Sequence, residues 1–375
     1  MTKTDPAAQS SRRAGVIQLP PLYCPIPPAT HPEASAIDAA TFAFMDAFHL
    51  ADGPRHRARL AAGMQGFAGR LAPRGDRAAV QLLSDLLIWI FSFDDVTEGP
   101  LSRRPGELML TVAQLRRVLD VPEARISDSP TAAALHDIRT RLLAVAPGWV
   151  SSWTEAMRGY LFTEACLASM AADDVKPSLN DYVALRMHAG GALAVTQLVL
   201  AANGRLDPRP ASDQRVAALM EMAASISIWD SDICSFPKEC ERGQHDHNLI
   251  EVLRRTRGDS LQGAYAAAIR LRDRTMCRFL SLGALGTGAA PHADRYAQSL
   301  GHYIRGSLDW CLSTVRYRFG EGSPTTGMQT PILVSSMCSE TPTDNSPRPP
   351  DIDSIAWWWS DHLVSGPEPS DDTEQ

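Results

Sequence analysis

The feature that most constrains this chain is a helical repeat of apolar residues that runs from about residue 33 to about residue 318. Ala, Leu and Arg dominate this span, and apolar residues recur every three to four positions, the period of a helix with one buried face. No run alternates Val, Ile or Thr with polar residues, as exposed strands do. Two segments, AAVQLLSDLLIWIFSFDD and GGALAVTQLVLAANG, are apolar almost all round, as central helices are. The sequence therefore predicts an all-α fold.

Composition divides the chain into three parts. Residues 1–15 are polar, and we expect them to be disordered; residues 16–320 are predicted to form a single helical domain. Residues 321–375 are rich in Pro, Ser and Thr, a composition typical of a disordered tail. Within this tail, SIAWWWSDHL at 354–363 is expected to dock as a short amphipathic piece. The proline-rich segment 19–32 should run extended over the surface.

The bulk composition excludes several classes of function. The 375 residues carry a net charge of −7, which gives no electrostatic footprint for nucleic acid or for an anionic membrane. Seven scattered cysteines without a CxxC pair indicate reduced thiols. The first residues lack the apolar core of a signal peptide, and the longest apolar run, LLIWIF, is too short to insert into a membrane. We expect a soluble cytoplasmic protein.

A first group of carboxylates stands at the end of an apolar helix. Asp94, Asp95 and Glu98 lie in FDDVTEGP, where Gly-Pro stops the helix. Asp94 and Glu98 are four residues apart and share a face. Acidic groups beside apolar residues are costly unless they reach water, a cation or a partner. Hard oxygen donors of this kind suit Mg²⁺, although a solvated helix end is the commoner explanation for such a motif alone.

A second group of oxygen donors lies in SDICSFPKE. Ser231, Ser235 and Glu239 recur at steps of four and would share one helix face. Lys238 beside them can reach a phosphate as a point charge. Pro237 interrupts the helix, because it removes one backbone hydrogen bond. Alone, this pattern fits an ordinary helix surface, but two such edges in one helical chain favour a metal site.

Taken together, these motifs resemble the bacterial class I terpene synthases over about four fifths of the chain. DDVTE resembles their aspartate-rich motif, and SDICSFPKE resembles their Asn/Asp-Ser-Glu metal triad. Arg186 in LNDYVALRMHAGG resembles their diphosphate-sensing arginine, and Arg316–Tyr317 resembles the Arg-Tyr pair near the end of the domain. LPPLYCPIP is similar to the segment that folds over the mouth of the site.

The resemblance implies a helical isoprenoid-synthase bundle around a central apolar cavity. It implies a prenyl diphosphate substrate and three Mg²⁺ ions, held by both groups of oxygen donors described above. The diphosphate is then contacted by four residues, which are Arg186, Lys238, Arg316 and Tyr317. Ser231 stands where the family has Asn or Asp, and Asp230 or Asp232 can compensate if Pro237 shifts the register.

The resemblance also assigns residues that act on the reacting chain. These predicted catalytic residues are Arg186, Gly190, Phe91 and Trp310. A helix break at Gly190 and Gly191 presents a backbone carbonyl to the substrate, but Ala189 stands where the family often has an acid. Aromatic faces stabilise carbocations, and the residues expected to line the cavity are Trp89, Phe91, Phe93 and Trp310, with Tyr317 at its upper edge. As a cation on a helix face, Arg186 is expected to add little to stability.

Several alternatives remain open at this stage. Farnesyl diphosphate is the favoured substrate, whereas abundant Ala and Gly near the cavity would also suit geranylgeranyl diphosphate. A chain-elongating prenyltransferase is disfavoured because a second DDxxD is missing, and a non-catalytic isoprenoid-binding protein is supported only by the altered triad. HDHN at 245–248 lacks further ligands at zinc spacing. A homodimer is left open.

Overall fold

The computed structural model describes residues 17–99, 101–121, 123–124, 126, 128–204, 206, 213–284, 291–317, 331–333 and 338–365. The predicted disordered start at 1–15 lies outside these residues, as do 321–330, 334–337 and 366–375 of the predicted tail. Nearly all regular structure in the described part of the chain is helical, which confirms the predicted fold class.

The helices follow one another in chain order as α1 (Ala34–Ala47), α2 (Gly53–Met64), α3 (Phe67–Leu71), α4 (Arg77–Thr97), α5 (Pro105–Asp120), α6 (Pro130–Val145), α7 (Val150–Ala172), α8 (Leu179–Arg186), α9 (Ala192–Ala202), α10 (Gln214–Arg242), α11 (Leu249–Arg257), α12 (Leu261–Ala284), α13 (Pro291–Ser313), α14 (Asp353–Ala356) and α15 (His362–Ser365). The described residues also form four short strands, namely β1 (Ile17–Leu19), β2 (Leu22–Tyr23), β3 (Pro331–Leu333) and β4 (Cys338–Ser339).

The two long helices that carry the predicted metal edges begin at capped positions. Asp76 accepts hydrogen bonds from the backbone N–H groups of the first turn of α4, and Asp213 does the same for α10. Such caps satisfy donors that have no partner inside the helix. α10 continues through the buried Pro237 and ends at Gly243, whose φ of 66° suits a glycine.

The predicted central helices are buried on nearly every side. α9 buries every residue from Ala194 to Ala202, and α4 buries most of its length from Ala79 to Phe93. α4 packs against α1, α6 and α9, while α10 packs against α9, α12 and α13. This arrangement leaves the ends of α4 and α10 facing each other across the interior of the bundle.

The short strands tie the two ends of the described chain together. β1 pairs with β3 and β2 pairs with β4, both in parallel. The proline-rich segment is extended, as predicted, but part of it forms β2, which the sequence did not indicate. β2 forms by pairing with β4, and just after it the Cys24 N–H donates to the Ser339 carbonyl at 3.0 Å, which satisfies both backbone groups.

The C-terminal segment, residues 338–365, packs on the helical body, so the predicted disorder of the tail is wrong for these residues. The physical reason is burial of apolar side chains that the Pro/Ser/Thr-rich composition concealed. Ile355 and Trp358 are completely buried, and the Trp358 indole N–H donates to Glu221 on α10 at 2.8 Å. The predicted docking of SIAWWWSDHL is confirmed.

Among the described residues, we find no single helix with the length and apolar character needed to cross a membrane. In this described part, only α8 and the segment Ala189–Ala202 taken together reach those values, and they are bent by 50° to one another.

Candidate active site

A cavity of about 270 Å³ opens between the ends of α4, α7, α10 and α13. It brings together most of the residues that the sequence predicts for the site, but not Asp95, Trp89 or Phe93. The predicted residues that line it are Phe91, Asp94, Glu98, Arg186, Gly190, Ser231, Ser235, Lys238, Glu239, Trp310, Arg316 and Tyr317. Residues from distant parts of the chain therefore share one space.

Asp94 and Glu98 form the first acidic edge. They lie one turn apart at the end of α4 and both line the cavity, as the spacing predicts. The Tyr160 hydroxyl on α7 donates to Asp94 Oδ1 at 2.6 Å. Burial and the neighbouring carboxylates Glu164 and Glu98 raise the pKa of Asp94 well above its ordinary value. A bound cation would favour the ionised form of this buried acid, so Asp94 is suited to bind one.

Asp95 does not join this edge, so the prediction that it lines the metal site is not met. Its carboxylate turns to α2, where it accepts from His56 at 2.9 Å and from Arg59 at 3.1 Å. It also pairs with Arg316 at 3.3 Å. Burial opposes its ionisation, but Arg316, Arg59 and His56 hold the pKa of Asp95 below its ordinary value. The reason is helical geometry, since consecutive residues point about 100° apart.

Glu164, on α7, is a site residue that the sequence analysis missed. It is buried, lines the cavity beside Asp94 and Gly190, and accepts from the Thr97 hydroxyl at 3.0 Å. Burial raises the pKa of Glu164 to about 7, against the opposing effects of Thr97, Arg186 and the Gly190 N–H. The carboxylate thus connects the end of α4 with the turn that follows α8.

The second edge lies on α10 and is held by hydrogen bonds from both sides. Ser231 Oγ contacts the Tyr317 hydroxyl at 2.6 Å, and Ser235 donates to Glu239 Oε1. Asn248, at the start of α11, donates to Glu239 Oε2 at 2.9 Å. Burial and nearby Asp232 raise the pKa of Glu239 to about 7. All three predicted donors face the cavity.

The aspartates on either side of Ser231 are engaged elsewhere and do not line the cavity. Asp230 pairs with Arg272 at 2.8 Å, and both side chains are fully buried. Asp232 accepts from Tyr182, from Arg186 and from the Leu249 N–H. The expectation that either aspartate compensates for Ser231 as a ligand therefore finds no support in the geometry. Both aspartates instead anchor the turn that presents Ser231.

The predicted helix break after Arg186 is present. Ala189–Gly191 forms a 3₁₀ turn in which Gly190 and Gly191 have φ values of 58° and 66°, in the left-handed region that favours glycine. A side chain at Gly191 would meet Ile90 Cδ1 at 2.5 Å. Backbone and packing therefore both require glycine at position 191.

The cavity presents two further cations near the acidic edges. The Arg316 guanidinium lies 4.4 Å above the Phe91 ring, and its Nη1 is buried without a hydrogen-bond partner among the described residues. Lys238 Nζ lies 5.9 Å from the Tyr317 ring, and burial lowers the pKa of this lysine. A buried unpaired donor is costly, so Arg316 offers a ready contact for an anion.

Aromatic rings form one wall of the cavity. Trp310 stacks on Phe67 at 4.3 Å and on Phe91 at 5.3 Å, and meets Tyr317 edge-on. Phe67, on α3, was missed because nothing in its short segment marks it.

The structure does not place Trp89 and Phe93 in this wall. They stack on each other and pack against Tyr160 in the core, and the Trp89 indole N–H donates to the Thr131 carbonyl at 2.8 Å. The prediction that these two rings line the cavity is wrong, because their helix face points to α6 and α7.

Within the part of the chain that the structure describes, no three His, Cys, Asp or Glu side chains stand close enough to hold a metal ion alone. The donors instead form two facing groups, carboxylates on α4 and hydroxyls with a carboxylate on α10. Such incomplete sets fit Mg²⁺, which keeps several waters and binds through one or two carboxylates and substrate phosphates. The unpaired Arg316 Nη1 fits the phosphate part of that arrangement.

Comparison with known proteins identifies the family. Residues 85–278, from within α4 to within α12, match the family described as "Terpene synthase family 2, C-terminal metal binding". Bonnadiene synthase from Allokutzneria albata is 32% identical over 92% of this chain and 98% of its own length. The chain belongs to the bacterial class I terpene synthases. It is therefore a terpene cyclase and a lyase that releases diphosphate.

Two further comparisons agree with this terpene synthase assignment. (+)-T-muurolol synthase ((2E,6E)-farnesyl diphosphate cyclizing) from Streptomyces clavuligerus is 32% identical over 90% of this chain and 81% of its own length. The crystal structure of the SVS_A2 protein, from ancestral sequence reconstruction, has a TM-score of 0.79 and 31% identity over 92% of this chain and 99% of its own.

Proposed function

We propose that this terpene synthase binds a linear prenyl diphosphate with Mg²⁺, ionises it and cyclises the carbocation, with farnesyl diphosphate as its substrate. The observation that carries the proposal is the meeting of two oxygen-donor edges, on α4 and α10, across one cavity with an aromatic wall. Mg²⁺, when bound, supplies Lewis-acid stabilisation of the departing diphosphate. Three ions are expected by resemblance to the family.

The residues at the polar end and at the apolar end of the cavity have different proposed roles. Asp94, Glu98, Ser231, Ser235 and Glu239 would hold the metal ions at the polar end. Each carboxylic acid must give up its proton to bind a metal ion, so the raised pKa values of Asp94 and Glu239 make metal affinity increase with pH.

The diphosphate would lie between the cations of the site. Arg316 would donate Nη1, which has no partner among the described residues, while Lys238 and Arg186 approach from α10 and α8 and Tyr317 adds its hydroxyl. Arg186 is already paired with Asp232, which fixes the direction of its guanidinium. Preorganised donors of this kind stabilise charge without reorganisation when it develops.

The carbocation would remain at the apolar end. Phe91, Trp310 and Phe67 all line the cavity, and Trp310 stacks on both phenylalanines. Ring faces attract a cation most strongly in a desolvated site. The carbonyl exposed at the Gly190 turn is expected to face the ionising carbon.

Geranylgeranyl diphosphate is a second candidate substrate, because several small side chains line the cavity. They are Ala168, Ala171, Ala192 and Ser227, and they leave room for a longer chain. Farnesyl diphosphate is favoured because the T-muurolol synthase relative cyclises (2E,6E)-farnesyl diphosphate. The cytoplasmic location and the homodimer stay predictions of the sequence.

The test is incubation of the purified protein with Mg²⁺ and the C10, C15 and C20 prenyl diphosphates, with diphosphate release and hydrocarbon products both measured. We expect cyclic products with the C15 substrate, and loss of both signals with a metal chelator. A matched pair of variants locates the metal edge: Glu239→Gln should abolish turnover, whereas Glu241→Gln, exposed two positions later, should not. No release from any substrate, or activity without metal, would overturn the proposal.

A further inference from the structure

A buried chain of charges links the C-terminal segment to the second metal edge. Thr343 donates from its backbone N–H and from its hydroxyl to Asp273 Oδ2, both at 2.8 Å. Asp273 Oδ1 accepts from Arg272 at 3.3 Å, and Arg272 donates to both oxygens of Asp230 at 2.8 and 3.2 Å. Asp230, Arg272 and Asp273 are completely buried. The chain therefore ends one residue before Ser231.

The turn of α10 that carries Ser231 lacks part of its own support. Pro237 has no N–H, so the carbonyl of Ile233 loses its helical donor. Asp230 and Ser231 differ by about 100° around the helix, which lets one face α12 while the other faces the cavity. Side-chain anchors thus hold a turn that the backbone ladder holds incompletely.

The two sides of this turn are anchored by different parts of the protein. Asp232 is held by Tyr182, Arg186 and the Leu249 N–H, which belong to the site or its border. Asp230 is held only through Arg272 among the contacts described. Arg272 is itself fixed by the Tyr23 carbonyl of β2 and by Asp273. Both ends of the described chain therefore converge on this guanidinium.

The C-terminal segment also touches the helix that carries Arg186. The Ser354 N–H donates to Asn180 Oδ1 on α8 at 2.9 Å, and α14 packs on α8. On α12, Arg278 donates to the Trp358 carbonyl at 2.7 Å, and Arg274 pairs with Asp344. One segment thus contacts both α8, which carries Arg186, and α12, which carries Arg272.

We propose that the C-terminal segment is a working part of the active site, and that Thr343, Asp273, Arg272 and Asp230 are positioning residues for Ser231. This inference rests on the proposed metal role of α10. A segment that only adds stability would leave the shape of the α10 turn unchanged in molecules that remain folded. If the segment positions Ser231, loss of its contacts changes that turn even in molecules that remain folded.

Two aspartates at the same contact provide a matched test. Asp273→Asn keeps the side-chain volume but replaces one acceptor oxygen with a donor, which breaks the chain of charges. Asp344→Asn weakens the partly buried Arg274 pair, whose side chains are 25% and 14% exposed, and leaves the fully buried chain of charges intact. Both variants loosen the contact between the C-terminal segment and α12, but only Asp273→Asn interrupts the contacts that lead to Ser231.

The first measurement uses metal-free protein, by hydrogen exchange of the backbone amides in 228–236. We expect exchange to accelerate about tenfold in Asp273→Asn and to stay within about twofold of the wild type in Asp344→Asn. The second measurement is calorimetric binding of Mg²⁺ with inorganic pyrophosphate, which should weaken about tenfold in Asp273→Asn only.

The proposal would be overturned if both variants showed the exchange rates and pyrophosphate affinity of the wild type. It would also be overturned if both variants lost protection from exchange and pyrophosphate affinity to the same extent. If Asp273→Asn does not fold, Thr343→Val replaces it, because it removes a single donor. Its control is Thr341→Val, an exposed threonine that contacts Ser339 through its backbone. A wild-type protein that fails to bind Mg²⁺ with pyrophosphate would contradict the proposed function, while the exchange measurement without metal still decides this inference.

Discussion

Replacing Glu164 with glutamine should make the metal-free enzyme more stable and less active. Burial raises the pKa of Glu164 from 4.5 to about 7, so the folded protein holds this proton more tightly than the unfolded chain does. The free energy of unfolding is therefore unaffected below about pH 4.5 and falls as pH rises from there to about 7. Above that window the loss is complete.

The magnitude follows from the width of this window. One pKa unit corresponds to about 1.4 kcal/mol, so a displacement from 4.5 to about 7 costs about 3 kcal/mol at high pH. Glutamine does not ionise and still accepts from Thr97, so Glu164→Gln should recover this amount near pH 8.5 and almost none near pH 4.5. Turnover should fall about 10–100-fold, the range for residues that orient a metal site.

The assay is denaturant unfolding of metal-free wild type and variant at both pH values, with turnover measured beside it. Glu155→Gln is the control, since Glu155 lies on the same helix but its side chain is 76% exposed. The free energy of unfolding of this variant should show the same pH dependence as that of the wild type. A Glu164→Gln enzyme that gains no stability near pH 8.5, or gains the same amount near pH 4.5, would refute the reasoning. Wild-type turnover in Glu164→Gln would show that Glu164 has no role in the activity of the site.

Three further substitutions test the supporting geometry. Arg186→Ala should abolish turnover and also cost about 3–5 kcal/mol of unfolding free energy, because its carboxylate partner on α10 is fully buried; an unchanged denaturation midpoint would contradict this. Gly191→Ala should destabilise by more than about 2 kcal/mol, since a methyl group there meets Ile90 at 2.5 Å and φ is positive, measured by thermal unfolding. Gly63→Ala places a carbon 2.9 Å from Arg316 Cγ, so KM for the diphosphate should rise while kcat changes less.

The sequence predicted the residues whose spacing reports a shared helix face. Asp94 with Glu98, and Ser231 with Ser235 and Glu239, recur at steps of four and do line one cavity. The same geometry argues against Asp95, which follows Asp94 directly on the helix. Helical period thus determines which members of a motif face the site.

The residues that were missed act through contacts between distant segments. Glu164 belongs to no motif, although it stands one turn from the buried Tyr160 on a largely buried stripe of α7. An acid in such a stripe is a usable signal, because it needs a partner. Arg186 was expected to add little stability, but its pairing with a buried aspartate is visible only in three dimensions.

The tail was misjudged because composition averages over many residues. Its Pro, Ser and Thr content indicated disorder, yet Ile352, Ile355, Trp358 and Leu363 are all buried. These few apolar side chains, at spacings of three to five, are enough to hold residues 338–365 on the body. Pattern within a tail therefore outweighs its mean composition.

The pairing of β2 with β4 has a consequence for synthesis of the protein. These strands lie at nearly opposite ends of the described chain, and contacts across so large a sequence separation form late and slowly. The helical bundle can assemble on the ribosome before β4 has emerged, while Asp273 still lacks its partner Thr343. The enzyme should therefore become competent only after residues 338–365 have left the exit tunnel.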